Sequence, residues 1–122
     1  MIAVVAGVVR REGRVLLCQR PEGKRFGLLW EFPGGKVEAG ETPEAALERE
    51  LREELDVETR TGRVLDALHL DARDGGDLLL LFYESELVRG EPRTVECRAL
   101  DWVLPEDVAA YDLAPADRLF LR

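Results

Sequence analysis

The sequence predicts one α/β domain over residues 1–122, with helices packed against a β-sheet. Apolar, β-branched segments typical of strands are intermingled with a segment of helical periodicity. A length of 122 residues is near the commonest domain size and suffices for one hydrophobic core. We find no internal repeat, linker or low-complexity segment in the sequence.

Strands are expected in the apolar segments 2–10, 14–20, 28–32, 57–70, 78–88 and 97–104. Arg11-Glu12-Gly13 separates the first two and predicts a hairpin, and Pro21 ends the second. The third is a short extended segment that Pro33-Gly34-Gly35 interrupts. A loop over residues 72–77 is expected between the fourth and the fifth.

A helix is predicted from Pro43 to about Leu55. Thr42 is a good N-cap, and proline is favoured at the first helical position. Leucines at every fourth position define the buried stripe: Leu47, Leu51 and Leu55. Glu48 and Arg52 are expected to pair on its outer side. A short helix should begin at Pro105, and another at about Pro115.

The net charge of −8 argues against binding to a nucleic-acid polymer or an anionic membrane. The apolar N-terminus, residues 1–10, is too short to span a bilayer and has no basic region before it, so we expect a cytoplasmic protein. Cys18 lies in an apolar run and is expected to be a reduced, packed thiol. A disulfide with Cys97 is neither required nor excluded.

Ten of the 25 acidic residues fall between Glu31 and Glu58. Within the predicted helix, Glu50, Glu53 and Glu54 share a face of about 100° beside the leucine stripe, where unpaired charge is costly. A solvated acidic helix face is the ordinary alternative. The preceding glycine turn and the tight clustering instead favour a site for a hard divalent cation such as Mg²⁺, which would also allow phosphate to bind.

Residues 35–57 resemble a known family motif. Gly35-x5-Glu41-x7-Arg49-Glu50-Leu51-x-Glu53-Glu54 is similar to the Nudix box, G-x5-E-x7-R-E-U-x-E-E-x-G-U, where U is apolar and Val57 is the last U. The resemblance implies a Nudix fold, with a mixed β-sheet sandwiched between α-helices and the box as a loop–helix–loop. Asp56 stands where the motif has glycine. Asp tolerates a left-handed helix stop at a cost of about 1 kcal/mol.

The resemblance also implies a Mg²⁺ or Mn²⁺ site. Its ligands would be Glu50, Glu53, Glu54, the Gly34 carbonyl and Glu96, the last of which has an exposed loop carboxylate as its alternative reading. Arg49 would position a catalytic carboxylate together with Glu41. Glu50 is the first candidate for the base that deprotonates water.

Further segments resemble the MutT-type branch of the family. Trp30-Glu31-Phe32-Pro33-Gly34-Gly35-Lys36 is similar to the segment before its box, and Arg20 would meet a substrate phosphate. Leu113-Ala-Pro-Ala-Asp117 resembles the matching segment of CTP pyrophosphohydrolases, in which Asp117 would read the base. Its alternative role is a favourable charge in the first turn of a helix. Phe32 and Tyr83 are also assigned to substrate binding. The other aromatic candidates for stacking are Phe26, Trp30 and Phe82.

The expected activity is metal-dependent hydrolysis of a nucleoside triphosphate to a monophosphate and pyrophosphate. Its role would be to sanitise the nucleotide pool, with 8-oxo-dGTP or a modified cytidine triphosphate as substrate. The alternatives are a nucleotide-sensing domain without turnover and a hydrolase of another nucleoside diphosphate derivative. Both a monomer and a homodimer remain open.

Overall fold

The structure, a computed structural model, describes residues 1–71 and 77–121. Seven strands are described: β1 Ile2–Arg11, β2 Arg14–Gln19, β3 Trp30–Glu31, β4 Gly34–Lys36, β5 Glu58–Leu70, β6 Leu78–Arg89 and β7 Ala99–Val103. They form a mixed sheet in the order β3-β2-β1-β6-β5, in which β4 pairs with β1 and β7 with β2. The β1–β6 pairing is parallel and the other pairings are antiparallel.

Helices pack on both faces of this sheet, as expected. Helix α1, Pro43–Leu55, covers one face, and helix α2, Pro115–Phe120, packs on the other beside the 3₁₀ helix Pro105–Ala110. Side chains of β1 alternate between the two cores: Val5 and Val9 face α1, whereas Ala6 and Val8 face α2. Phe120 of α2 stacks on Phe82 of β6 with ring centroids 4.1 Å apart.

Helix α1 has the predicted bounds. Thr42 Oγ1 accepts a hydrogen bond from the Ala45 N–H at 3.1 Å, and Pro43 is the first helical residue. The three leucines of the predicted stripe are fully buried. The predicted Glu48–Arg52 pair is not observed. Arg52 binds Glu58 at 3.0 Å instead, and Glu48 accepts a hydrogen bond from the Thr61 N–H, because β5 brings both partners close to α1.

Strand β4 was not predicted, because glycine is a poor strand former. Gly34 pairs with Ala6, and a Cβ at Gly34 would collide with the Val5 carbonyl oxygen. Only a residue without a side chain permits this close approach between β4 and β1. Of the predicted loop over 72–77, residues 72–76 lie outside the described part of the chain.

Asp56 ends α1 in the left-handed conformation, with φ 59° and ψ 45°. Its N–H donates to the Arg52 carbonyl at 3.0 Å, and its carboxylate pairs with Arg93 at 3.0 Å. The residue that replaces the motif's glycine therefore adopts the conformation that this glycine would supply.

We expect Asp56→Ala to be less stable than Asp56→Gly by about 1 kcal/mol, because a Cβ is unfavourable at positive φ. Both variants lose the Arg93 ion pair, so its contribution cancels in this comparison. Urea unfolding of the two variants measures the difference. Equal stabilities would contradict the left-handed stop.

Candidate active site

Arg49 organises the carboxylates of the β4–α1 segment. Its Nε and Nη2 bind the two oxygens of Glu41 at 2.6 and 3.0 Å, and Nη2 also donates to the Lys36 carbonyl. Its Nη1 donates to Glu50 at 3.1 Å and to Glu53 at 3.3 Å. The hydrogen bonds with Arg49 lower the pKa of Glu41, and those with Glu41 raise the pKa of Arg49. One guanidinium thus links the loop, β4 and the helix face.

Gly35 makes room for Glu50. A Cβ at Gly35 would overlap the Glu50 carboxylate, so this carboxylate rests directly on the β4 backbone. Burial raises the pKa of Glu50, against the lowering effect of Arg49. The geometry explains why a glycine turn precedes the acidic helix: the turn places backbone, not side chain, against the carboxylate.

Glu54 is the most strongly perturbed carboxylate of the site. Its Oε2 is shut off from solvent and has no hydrogen-bond partner in the described structure. Burial, together with the charges of Glu31, Glu50 and Glu96, raises the pKa of Glu54 to about 9. An ionised Glu54 would therefore need a nearby cation to neutralise it.

These residues fit a hard divalent cation. The donors are carboxylate oxygens, which Mg²⁺ and Mn²⁺ prefer. The Glu54 Oε2 atom makes no hydrogen bond within the described structure, so it is available to coordinate a cation. Within residues 1–71 and 77–121, no three His, Cys, Asp or Glu side chains are already arranged closely enough for a metal site.

Two cavities meet at this site. The carboxylate cavity has a volume of about 390 Å³ and is lined by Arg20, Pro21, Lys24, Glu31, Glu54, Glu96 and Cys97. The larger cavity, of about 620 Å³, lies over β1 and β4 beside the start of α2. Arg20 and Glu31 line both, and they form an ion pair of 3.2 Å. The ion pair therefore borders both cavities.

Asp117 lies in the wall of the larger cavity and is only 6% exposed. Its Oδ1 accepts a hydrogen bond from the Phe32 N–H at 2.9 Å. Burial raises the pKa of Asp117 to about 7, although the bond from Phe32 lowers it.

A match to the NUDIX domain model extends over residues 1–122. The chain belongs to the Nudix family. It is 43% identical over 117 residues to the CTP pyrophosphohydrolase of Escherichia coli, covering 96% of this chain and 86% of that protein. It is 44% identical over 115 residues to the putative 8-oxo-dGTP diphosphatase 2 of Mycobacterium tuberculosis, covering 94% and 82%.

Solved structures agree with this assignment. The solution structure of the E. coli ORF135 protein superposes with a TM-score of 0.86 at 40% identity, covering 99% of this chain and 86% of that one. The MutT NUDIX hydrolase of Burkholderia pseudomallei gives a TM-score of 0.82 at 32% identity, covering 98% and 95%. The resemblance to the MutT-type branch and the expected fold are confirmed, and the chain is a Nudix hydrolase.

The structure brings part of the Nudix box set together through Arg49, whereas Glu54 lines the carboxylate cavity. Arg49 touches Glu41, Glu50 and Glu53, as the resemblance implied. Glu96 is an exposed loop residue, and it lines the carboxylate cavity together with Glu54. Outside the box, Arg20 also lies at the site, paired with Glu31.

Of the aromatic candidates, only Phe26 has an exposed ring at the larger cavity. The ring of Phe32 is in the core, in edge contact with Phe82 and Phe120, although the residue forms part of the cavity wall. Placing Tyr83 at the substrate was wrong: it is 6% exposed and packs against the leucines of α1. Alternation along β6 turns it to the face opposite the larger cavity.

Glu31 is a site residue that the sequence did not single out. The β2–β3 pairing sets it opposite Cys18 and beside Arg20, at the junction of the cavities. Its pKa is raised by burial. A carboxylate within an apolar extended segment was the available signal.

Among residues 1–71 and 77–121, no helix is long and apolar enough to cross a membrane.

We expect Gly35→Ala to reduce kcat by about 10- to 100-fold, because the new Cβ displaces the Glu50 side chain. The fold should survive, with a loss of no more than about 1 kcal/mol, since a flexible side chain gives way. Gly34→Ala is the matched comparison. There the Cβ meets the Val5 backbone, and we expect a loss of about 3 kcal/mol or more. Turnover and urea unfolding of both variants test this contrast, which similar stabilities would contradict.

Proposed function

We propose that this Nudix hydrolase cleaves nucleoside triphosphates to nucleoside monophosphate and pyrophosphate with Mg²⁺ or Mn²⁺ as the cofactor. The observation that carries the proposal is Glu54, a buried carboxylate with an unpartnered oxygen beside Glu31, Glu50 and Glu96. The ionised form of such a group needs a cation, and a cation here would attract a polyphosphate into an otherwise acidic cavity. In the reaction, a water oxygen bonds to phosphorus as the anhydride P–O bond breaks and pyrophosphate leaves.

A bound divalent cation would neutralise phosphate charge and lower the pKa of water. The ligands we propose for it are Glu50, Glu53, Glu54, Glu96 and the Gly34 carbonyl. Arg49 fixes the orientations of Glu50 and Glu53 through Nη1, while its other nitrogens are anchored on Glu41. We assign the general base to Glu50, whose carboxylate accepts the proton of the attacking water.

The larger cavity would bind the base. Asp117 offers one carboxyl oxygen there, and Phe26 offers a half-exposed ring for stacking. The relatives named as a CTP pyrophosphohydrolase and a putative 8-oxo-dGTP diphosphatase support a nucleotide substrate whose base is oxidised or carries an exocyclic amine. We therefore assign the enzyme to sanitising the nucleotide pool, with 8-oxo-dGTP or a modified cytidine triphosphate as substrate.

A nucleotide-sensing domain without turnover is the second candidate. Loss of box glutamates would favour it. All three, Glu50, Glu53 and Glu54, are retained in this chain, and Arg49 contacts two of them. These observations favour catalysis.

We expect Glu53→Gln to reduce kcat by about 100-fold or more, because a neutral amide is a poor ligand for a hard cation. Glu44→Gln is the matched control, since Glu44 lies exposed in the first turn of the same helix. Release of pyrophosphate and monophosphate, measured by chromatography, reports both rate and bond. Full activity of Glu53→Gln would contradict the metal-site assignment, and release of orthophosphate with nucleoside diphosphate would contradict the cleaved bond.

We expect the preference of the enzyme between two bases to depend on pH through Asp117, whose pKa is about 7. Above this pH the carboxylate accepts from the cytosine N4 amine, and below it the acid donates to a purine carbonyl. The ratio of kcat/KM for cytidine triphosphate to that for 8-oxo-dGTP should therefore rise several-fold with increasing pH.

In Asp117→Asn this ratio should be independent of pH, because the amide does not titrate. Asp117→Ala should lower kcat/KM for both substrates. Taking the ratio removes pH effects common to the two reactions, such as titration of the base that activates water. A flat ratio in the wild-type enzyme would exclude Asp117 as the base-reading group.

A further inference from the structure

The loop between β2 and β3, residues 20–29, borders both cavities. Lys24 lines the carboxylate cavity, whereas Phe26, two residues later, lines the larger cavity. Arg20, at the start of the loop, lines both. One short segment therefore presents a cation to one cavity and an aromatic ring to the other.

This loop is held in a defined conformation. The Arg20 Nε donates to the Arg25 carbonyl at 2.7 Å, and the Gly27 N–H donates to the Lys24 carbonyl at 2.9 Å. Phe26 and Leu28 have φ values of 56° and 68°, a region that residues with bulky side chains rarely adopt. Such backbone conformations persist only where surrounding contacts enforce them. The fold therefore holds the backbone of this loop, from which Lys24 and Phe26 project.

Lys24 differs from the other cation of the carboxylate cavity. Arg20 is already paired with Glu31, whereas Lys24 is exposed and takes part in no ion pair with the described residues. Its ammonium group is therefore free to bind an anionic ligand. Lys24 lines the same cavity as Glu54 and Glu96. The acidic side chains of this cavity would repel an anion, and the lysine ammonium group would attract it.

We propose that Lys24 binds the terminal phosphates of the triphosphate, the part that leaves as pyrophosphate. This inference rests on the proposed function. A nucleotide with its base beside Asp117 and Phe26 passes the Arg20–Glu31 pair before its phosphates enter the carboxylate cavity. The phosphates farthest from the base then reach the cavity that Lys24 lines. Lys24 is thus a specificity residue for the length of the phosphate chain.

The test compares Lys24→Met with Lys24→Arg, and uses Arg60→Met as a matched charge control. Arg60 is exposed on β5 and forms an ion pair of 3.1 Å with Glu86. We expect Lys24→Met to lower kcat/KM for a nucleoside triphosphate by about tenfold, and by much less for the diphosphate of the same nucleoside. Lys24→Arg should retain most of the activity, and Arg60→Met all of it.

A second readout is independent of turnover. Calorimetric titration with inorganic pyrophosphate in the presence of Mg²⁺ should show affinity about tenfold weaker for Lys24→Met and unchanged for Arg60→Met. Equal losses for triphosphate and diphosphate, unchanged pyrophosphate affinity, or an equal loss in Arg60→Met would overturn the proposal. If the wild type hydrolysed no nucleoside triphosphate but bound pyrophosphate through Lys24, the proposed function alone would fail.

Discussion

The interaction on which the site depends is that of Arg49 with the carboxylates around it. Its guanidinium contacts Glu41, Glu50 and Glu53, and also the Lys36 carbonyl of β4. Carboxylates crowded on one helix face repel one another, so the helix alone would not keep them convergent. A planar donor group with five N–H bonds can satisfy several of them at once in fixed directions. It thereby fixes the helix face against the glycine backbone of β4.

Arg49 contacts Glu41, Glu50 and Glu53, and the more deeply buried Glu54 is left to bind another cation. Glu54 lies towards Glu31 and Glu96, and its free oxygen has no protein partner among the described residues. Replacing Glu54 with an apolar residue would remove this electrostatic cost, so stability alone does not explain the group. The burial of this carboxyl is explained if a cation completes the site and stabilises its ionised form. The same cation then reverses the sign of the field that a polyphosphate meets.

The sequence predicted those features that depend on neighbouring residues. Thr42, Pro43 and the leucine repeat determine α1 locally, and Asp56 ends it through its own backbone conformation. Features that depend on which strands pair could not be predicted from neighbouring residues, because the partners are distant in the sequence. Strand β4 exists because Gly34 approaches β1, and Tyr83 faces α1 because of the register of β6. Likewise, Glu31 becomes a site residue only when β3 pairs with β2.

The division between the two cavities explains why the reaction class is easier to infer than the substrate. The carboxylate face comes from one continuous segment, whose spacing is visible in the sequence. The larger cavity combines residues of β1, β4, β6 and α2. Asp117 in its wall accepts a hydrogen bond from the Phe32 N–H, 85 positions away in the chain. A buried carboxyl with a pKa of about 7 can be a donor or an acceptor. On the proposed role of Asp117, base preference would depend on a protonation equilibrium that burial sets, and burial is a property of the folded chain.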